Sequence, residues 1–280
     1  MFEIIFPSIS SVIIITSIGI VFGFMLSTAK LVLNVERDPR FALVLEALPN
    51  ANCGACGEAG CAGYAAKIVD SCIAPNLCPV GGSEVTNTIC SIMGIEAEFQ
   101  KPKTARVACQ GGNDVALTEF IYNGPKSCLA AEQIMGGFKV CQYGCLGLGD
   151  CERSCPFNAI YINKNGIPQV NKERCTGCGN CISACPRGII RLVDSDFDVY
   201  VLCKNREKGR FVKQGCSVGC IACKKCEKAC REVFADNSDI DSAIEVINFL
   251  TVIDYNKCIN CGKCAEVCPQ NVIKYIDKVI

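Results

Sequence analysis

The 280-residue sequence contains no histidine and no tryptophan, and its formal net charge is zero. Without histidine, Ser-His and Cys-His catalysis and mixed Cys/His zinc sites are excluded. The balanced charge gives no indication of a nucleic-acid partner. The sequence also has neither a P-loop nor a G-x-G-x-x-G turn, so NAD binding by this chain is not expected. No separate catalytic site is expected on the chain.

Cysteine is the residue present in excess, with 26 copies, about one residue in eleven. Such a density is typical of three kinds of protein: small secreted proteins with disulfides, zinc proteins and iron–sulfur proteins. The choice among them depends on the compartment and on the spacing of the cysteines.

A long apolar run opens the chain, with 26 uncharged residues between Glu3 and Lys30. Because about 20 helical residues cross a bilayer, it predicts a single-pass transmembrane anchor over 1–29 in the cell (inner) membrane. A signal peptide is the alternative, but no positive region precedes the run and the run is longer than usual. Lys30, Arg37 and Arg40 follow it, so the positive-inside rule places the rest on the cytoplasmic side. Thiols stay reduced there, which argues against disulfides.

The last 180 residues repeat themselves. Cys141-Gln142-Tyr143-Gly144-Cys145 recurs as Cys216-Ser217-Val218-Gly219-Cys220, and a repeat of this length indicates a duplicated unit. We therefore expect an α+β protein with one N-terminal transmembrane helix, a small Cys-rich 4Fe-4S domain and a duplicated ferredoxin-like [4Fe-4S] region. The expected segments are the anchor at 1–29, the N-terminal 4Fe-4S domain at 30–100, and the two repeats at 101–192 and 193–280.

Each repeat ends in the spacing C-x2-C-x2-C-x3-C-P, from Cys175 to Pro186 and from Cys258 to Pro269. In bacterial ferredoxins three of these cysteines bind one [4Fe–4S] cluster and the fourth binds the other cluster. Zinc ribbons instead use two separated pairs. Crossed ligation predicts three complete ligand sets: Cys155, Cys175, Cys178 and Cys181; Cys230, Cys258, Cys261 and Cys264; and Cys220, Cys223, Cys226 and Cys268.

A fourth set is incomplete. Leu148 occupies the position equivalent to Cys223, which leaves Cys145, Cys151 and Cys185 without a fourth ligand. The first repeat also has 31 residues between Cys109 and Cys141, where the second has 12 between Cys203 and Cys216. The 19 extra residues contain Cys128, and we hypothesise that it completes the set.

Four cysteines then remain, two from each repeat, which is the ligand count of one more cluster. They are Cys109, Cys141, Cys203 and Cys216. A rival allocation gives Cys141 to the incomplete set and leaves Cys128 elsewhere.

The N-terminal domain has its own spacing, Cys53-x2-Cys56-x4-Cys61-x16-Cys78, which predicts a further [4Fe–4S] site. The chain should thus hold at least five clusters, and six with the four remaining cysteines. Cys72 and Cys90 follow apolar residues at helical spacing, and we expect both to be buried thiols that bind no metal.

Four stretches closely resemble the RnfB family, the B component of the Rnf electron transport complex, in its extended form from anaerobic bacteria. They are Leu48–Gly57 (LPNANCGACG), Gly60–Ala65 (GCAGYA), Cys78–Gly82 (CPVGG) and Cys141–Cys151 (CQYGCLGLGDC). The resemblance implies an electron-transfer subunit that accepts electrons from soluble ferredoxin and passes them to other membrane and peripheral Rnf subunits. It also implies that the complex couples NAD reduction to Na+ or H+ translocation.

Two other classes of function remain as alternatives. A polyferredoxin adaptor of another membrane oxidoreductase, such as a hydrogenase, would have similar repeats, but the N-terminal motif argues against it. A non-redox cluster protein would not need five clusters.

A basic stretch between Lys204 and Arg231 carries a charge of about +7 in an otherwise neutral chain. Soluble ferredoxins are usually acidic, and opposite fields accelerate encounter by roughly 10- to 1000-fold. We therefore predict that ferredoxin docks near this stretch. A solvated loop and stabilisation of cluster charge are the alternatives.

Overall fold

The structure is a computed structural model that describes residues 2–32, 38–235 and 242–275, with side chains from 13 to 29 and from 38 onward. The chain divides into two compact units, 1–43 and 44–280. All the predicted cluster ligands belong to the second unit.

The first unit contains helix α1, Phe2–Val32, of 31 residues. Among the residues that the structure describes, no helix combines the length and apolarity needed to cross a membrane. The predicted transmembrane anchor over 1–29 is wrong on this finding. Glu3, Lys30 and Arg37, on which its orientation depended, have side chains outside the described set.

The N-terminal Cys-rich domain contains three helices, α2 (Arg40–Ala47), α3 (Cys61–Ser71) and α4 (Gly82–Met93). Helix α3 begins at a predicted ligand, because the Asn52 side chain accepts the Cys61 backbone N–H at 2.9 Å. The Tyr64 hydroxyl donates to the Ala74 carbonyl at 2.8 Å and accepts the Leu77 N–H at 3.0 Å. This buried tyrosine therefore fixes the loop that leads to Cys78.

The two repeats have the same plan. In the first, strand β1 (Lys103–Val107) pairs antiparallel with β4 (Ile190–Asp194), and β2 (Ile160–Ile162) forms a hairpin with β3 (Pro168–Val170). In the second, β5 (Val199–Val201) pairs with β8 (Ile273–Tyr275), and β6 (Ile244–Ile247) with β7 (Leu250–Ile253). The helices of the first repeat are α5 (Cys128–Glu132), α6 (Asp150–Arg153) and α7 (Asn180–Ser183), and those of the second are α8 (Gly209–Gly215), α9 (Lys225–Val233) and α10 (Lys263–Glu266). The mixture of short helices and strands agrees with the α+β part of the predicted fold.

The repeats are joined by backbone hydrogen bonds around Cys216. Leu117 donates its N–H to the Gly215 carbonyl at 2.9 Å, and Ser217 donates to the Val115 carbonyl at 3.0 Å. A second-repeat cysteine is thereby held against the first repeat.

Sulfur is a large part of the core. In the first repeat, four buried cysteines pack with six buried aliphatic residues in one cluster, and in the second repeat Cys226, Cys230 and Cys264 pack similarly. Cores of this kind are small, because the sheets have only two strands each. Cluster ligation would therefore supply stabilisation that the apolar residues alone do not.

Candidate iron–sulfur sites

The regular motifs form tight loops that end in a short helix. Gly177 has φ of 71°, and a Cβ at this position would lie 2.5 Å from the Lys103 carbonyl oxygen of β1. Only glycine fits both the backbone conformation and the close approach. Helix α7 then begins after Gly179 and contains Cys181, and α10 begins after Gly262 and contains Cys264.

The members of the first complete set, Cys155, Cys175, Cys178 and Cys181, are near neighbours. Burial and the neighbouring thiols Cys175, Cys178 and Cys155 raise the pKa of Cys181 to about 12. Two sulfurs accept backbone hydrogen bonds, Cys175 from Ala105 N–H at 3.4 Å and Cys155 from Ala159 N–H at 3.3 Å. Such bonds stabilise a thiolate and favour the reduced cluster.

The second set is its counterpart in the other repeat. Burial raises the pKa of Cys264 to about 12, and nearby thiols add to this effect: Cys258, Cys261, Cys226 and Cys230. Cys226 of another set and Cys230 both lie near Cys264, and Cys230 is also the thiol that most raises the pKa of Cys258.

Three members of the third set lie together. Cys220 and Cys268 share a core cluster, and burial raises the pKa of Cys226, with Cys220 and Cys268 adding to the effect while the Thr251 hydroxyl opposes it. The Thr251 hydroxyl lies 3.6 Å from Cys220 Sγ and 3.4 Å from Cys226 Sγ. Cys223, the fourth predicted member, is exposed on the loop before α9.

The fourth set includes the cysteine from the insertion. A cavity of about 20 Å³ is lined by all four members, Cys128, Cys145, Cys151 and Cys185. The Asp150 carboxylate accepts the Leu129 N–H at 3.0 Å and the Ser127 hydroxyl at 3.1 Å, which fixes the start of α5 against α6. Burial raises the pKa of Cys151 to about 12, and the nearby thiols Cys128, Cys185 and Cys181 add smaller contributions.

The four remaining cysteines also meet. Another cavity of about 20 Å³, here named the central cavity, is lined by Cys109 and Cys141 from the first repeat and Cys203 and Cys216 from the second. The hydrogen bonds to its sulfurs are related by the internal repeat. Cys109 accepts from Cys145 N–H at 3.3 Å, and Cys203 accepts from Cys220 N–H at 3.4 Å.

Two further groups line the central cavity. Asn205 donates its amide to Cys141 Sγ at 3.4 Å, and Lys139 is fully buried. Burial raises the pKa of Cys109 and of Cys216, and the Lys139 charge opposes that rise in both. Sequence reasoning did not identify Lys139, because a lone lysine gives no indication of burial.

The N-terminal set lies beside the first repeat. Burial raises the pKa of Cys78, and the neighbouring thiols Cys53 and Cys61 raise it further. Hydrogen bonds from the backbone N–H groups of Gly81 and Val80 lower the same pKa. Cys56 and Cys78 line a cavity of about 460 Å³ together with Gly177 of the first repeat.

The two cysteines predicted not to bind metal behave differently. Cys90 is buried and its thiol lies 3.8 Å from the Glu96 carbonyl, as a donor rather than an acceptor. Cys72 is exposed, because it ends α3 in a left-handed conformation with φ of 49°. The expectation that Cys72 is buried is therefore wrong.

We judge the fit of [4Fe–4S] clusters from the donors. In the part of the chain that the structure describes, no three Cys, Asp or Glu side chains are gathered around a point suited to one metal ion. The two cavities of about 20 Å³ are each lined by four cysteines and by no carboxylate other than Asp150. Their sulfurs are desolvated, and several accept N–H bonds, which is the environment that cluster thiolates require. The residues therefore fit the group.

Three families match parts of the chain. A family described as a putative Fe-S cluster matches residues 48–80, a 4Fe-4S dicluster domain matches residues 137–189, and a 4Fe-4S binding domain matches residues 251–274. These matches support [4Fe–4S] binding in the N-terminal domain and in both repeats.

Similar proteins align along nearly the whole chain. The B component of the ion-translocating oxidoreductase complex of Methanosarcina acetivorans is 42% identical, covering 95% of this chain and 97% of its own. The B components of the Na(+)-translocating ferredoxin:NAD(+) oxidoreductase complex of Acetobacterium woodii and of the proton-translocating ferredoxin:NAD(+) oxidoreductase complex of Clostridium ljungdahlii are 44% and 38% identical. The alignment with the Acetobacterium woodii protein covers 91% of this chain and 74% of that protein, and the alignment with the Clostridium ljungdahlii protein covers 94% of this chain and 91% of that protein. The resemblance drawn from the motifs is confirmed: the chain belongs to the RnfB family, the B components of ion-translocating ferredoxin:NAD oxidoreductase complexes.

Proposed function

We propose that this chain is the electron-transfer subunit of a membrane-associated, ion-translocating ferredoxin:NAD oxidoreductase, and that 24 of its cysteines hold six [4Fe–4S] clusters. The observation that carries the proposal is the placement of the six thiol sets in one compact unit, each next to another. The clusters supply one-electron chemistry, and the polypeptide determines their spacing, solvation and hydrogen bonding.

The sets form a series. Cys53 is among the thiols close enough to raise the pKa of Cys178. The N-terminal set therefore lies near the first complete set. Cys181 of the first complete set is close enough to raise the pKa of Cys151, which belongs to the Cys128 set. Cys145 of the Cys128 set donates its backbone N–H to the Cys109 sulfur of the central cavity. Each set therefore has a neighbour toward which an electron can move.

The series continues into the second repeat. Cys203 of the central cavity accepts the N–H of Cys220, and the Thr251 hydroxyl lies beside both Cys220 and Cys226. Cys226 in turn is close enough to raise the pKa of Cys264, which belongs to the last set. The series has two ends, the N-terminal set and the Cys258 set.

We place ferredoxin docking at the second repeat. Cys223 is exposed and is followed by Lys224 and Lys225, which are exposed and form no ion pair with any residue in the described ranges. Cys261 of the last set is also exposed, but the lysines around it are paired, Lys257 with Asp254 at 3.8 Å and Lys263 with Glu266 at 3.3 Å. An acidic electron donor is attracted more strongly to the Cys223 loop.

The remaining parts of the function belong to the complex. Reduction of NAD and translocation of Na+ or H+ take place on other membrane and peripheral subunits. The iron–sulfur domains face the cytoplasmic side, where ferredoxin and NAD are found.

The test is anaerobic purification of the whole chain, followed by iron and sulfide analysis and EPR spectroscopy. Six clusters correspond to about 24 iron atoms per chain, with several low-potential signals after reduction. Co-purification with the other subunits of the complex is the second measurement. A colourless or zinc-loaded chain would refute the proposal.

A further inference from the structure

Lys139 is a buried cation in an unusual position. Its side chain is 0% exposed and lines the central cavity with Cys109, Cys141, Cys203 and Cys216. Its Nζ donates to the Gly111 carbonyl at 2.9 Å. No Asp or Glu lines this cavity, and Lys139 forms no ion pair with a carboxylate in the described parts of the chain.

A buried charge without a counterion destabilises a protein strongly. The cysteine sulfurs are the groups at the central cavity that can carry a negative charge close to the buried Lys139. A [4Fe–4S] cluster with four thiolates is an anion, and its charge becomes more negative by one when it is reduced. The lysine therefore stabilises the reduced cluster more than the oxidised one.

The Cys128 cavity provides the contrast. It also has a buried cation, Arg187, at 7% exposure. The Arg187 guanidinium, however, pairs with the Glu132 carboxylate at 2.5 Å and donates to the Gly136 carbonyl. Its charge is offset by a protein carboxylate, so it shifts the neighbouring cluster much less.

We propose that the Lys139 ammonium is the counterion of the cluster in the central cavity and makes its midpoint potential more positive than it would otherwise be. This inference rests on the proposed function. One electron passes from an adjacent reduced cluster, which is oxidised, to the central cluster, which is reduced, and ferredoxin is the original reductant. No bond is formed or broken. A cluster held there would be reduced more readily than it would be without the Lys139 charge.

The test is an EPR-monitored redox titration of the whole anaerobic chain as wild type, Lys139→Met and Lys139→Arg. The signal of the central cluster is the one missing from Cys203→Ala. In Lys139→Met its one-electron reduction constant should fall at least tenfold, a shift of about 59 mV to more negative potential. Lys139→Arg should keep the wild-type value.

The matched control is Lys204→Met. Lys204 also lines the central cavity, but it is partly exposed and its Nζ donates to the Arg187 carbonyl at 2.7 Å, so water screens its charge. Its shift should be smaller than that of Lys139→Met.

The outcomes separate the two proposals. A Lys139→Met chain with full iron and unchanged potentials overturns the inference and leaves the relay intact. If Lys139→Met loses iron, Lys139→Arg decides: wild-type iron and potential support the counterion role, and loss of iron there too overturns it. A wild-type chain without low-potential signals overturns the relay itself.

Discussion

The first and second repeats use the same strands and loops to position cysteines, yet they differ in the origin of the fourth cysteine of one predicted site. The second repeat has Cys223 on an exposed loop, whereas the first has Leu148 there and brings Cys128 from an insertion. The difference teaches that the thiol geometry is retained while the element that supplies it changes. Cys128 is half-buried, whereas Cys223 is exposed.

The largest expected effect is loss of a cluster. Cys128→Ala and Cys223→Ala should each lower the iron content by about four atoms per chain, because each removes one ligand of a different site. Cys72→Ala is the control, since Cys72 is exposed and unassigned. If Cys128→Ala keeps all its iron, the rival allocation with Cys141 in that site gains support and the comparison fails.

A smaller effect is expected at the docking surface. Lys224→Glu together with Lys225→Glu should slow reduction by ferredoxin about tenfold at low salt, and the difference should shrink as salt screens the charges. Stopped-flow absorbance measures the rate. The matched change, Lys257→Glu with Lys263→Glu, alters paired lysines beside Cys261 and should have less effect. Equal slowing by both pairs would place docking elsewhere.

The smallest effect concerns one hydroxyl. Thr251, seven residues before Cys258, contacts the sulfurs of Cys220 and Cys226, and the equivalent residue of the first repeat is Pro168, which has no donor. Thr251→Val should make the potential of the Cys220 cluster more negative, with a roughly fivefold change in its reduction constant for a hydrogen bond worth about 1 kcal/mol. Redox titration measures it. An unchanged potential would mean that the hydroxyl does not distinguish the repeats.

Spacing along the chain was sufficient to predict the four cysteines that line each of two cavities. The cysteine count and the 19-residue insertion placed Cys128 with Cys145, Cys151 and Cys185, which line one cavity in the structure. Sulfur ligation is local and periodic, so it leaves a clear pattern in the sequence. The two repeats made the pattern visible twice.

Other features depend on tertiary packing and left no such pattern. The burial of Lys139 and the position of the Thr251 hydroxyl follow from which loop packs against which sulfur. Helical spacing predicted that Cys72 is buried, but α3 ends at this residue and its side chain is exposed. The membrane span over 1–29 was inferred from apolar composition, and no helix in the described residues satisfies that requirement.

The central cavity takes two sulfurs from each repeat, and backbone hydrogen bonds on either side of Cys216 join the two repeats. Neither repeat alone can complete this site. During synthesis, the other sites of the first repeat have all their ligands once Cys185 has left the ribosome, but the central site must wait for Cys216. A cluster bound there, as we propose, would be completed last, and its four thiolates would link the two repeats of the finished protein.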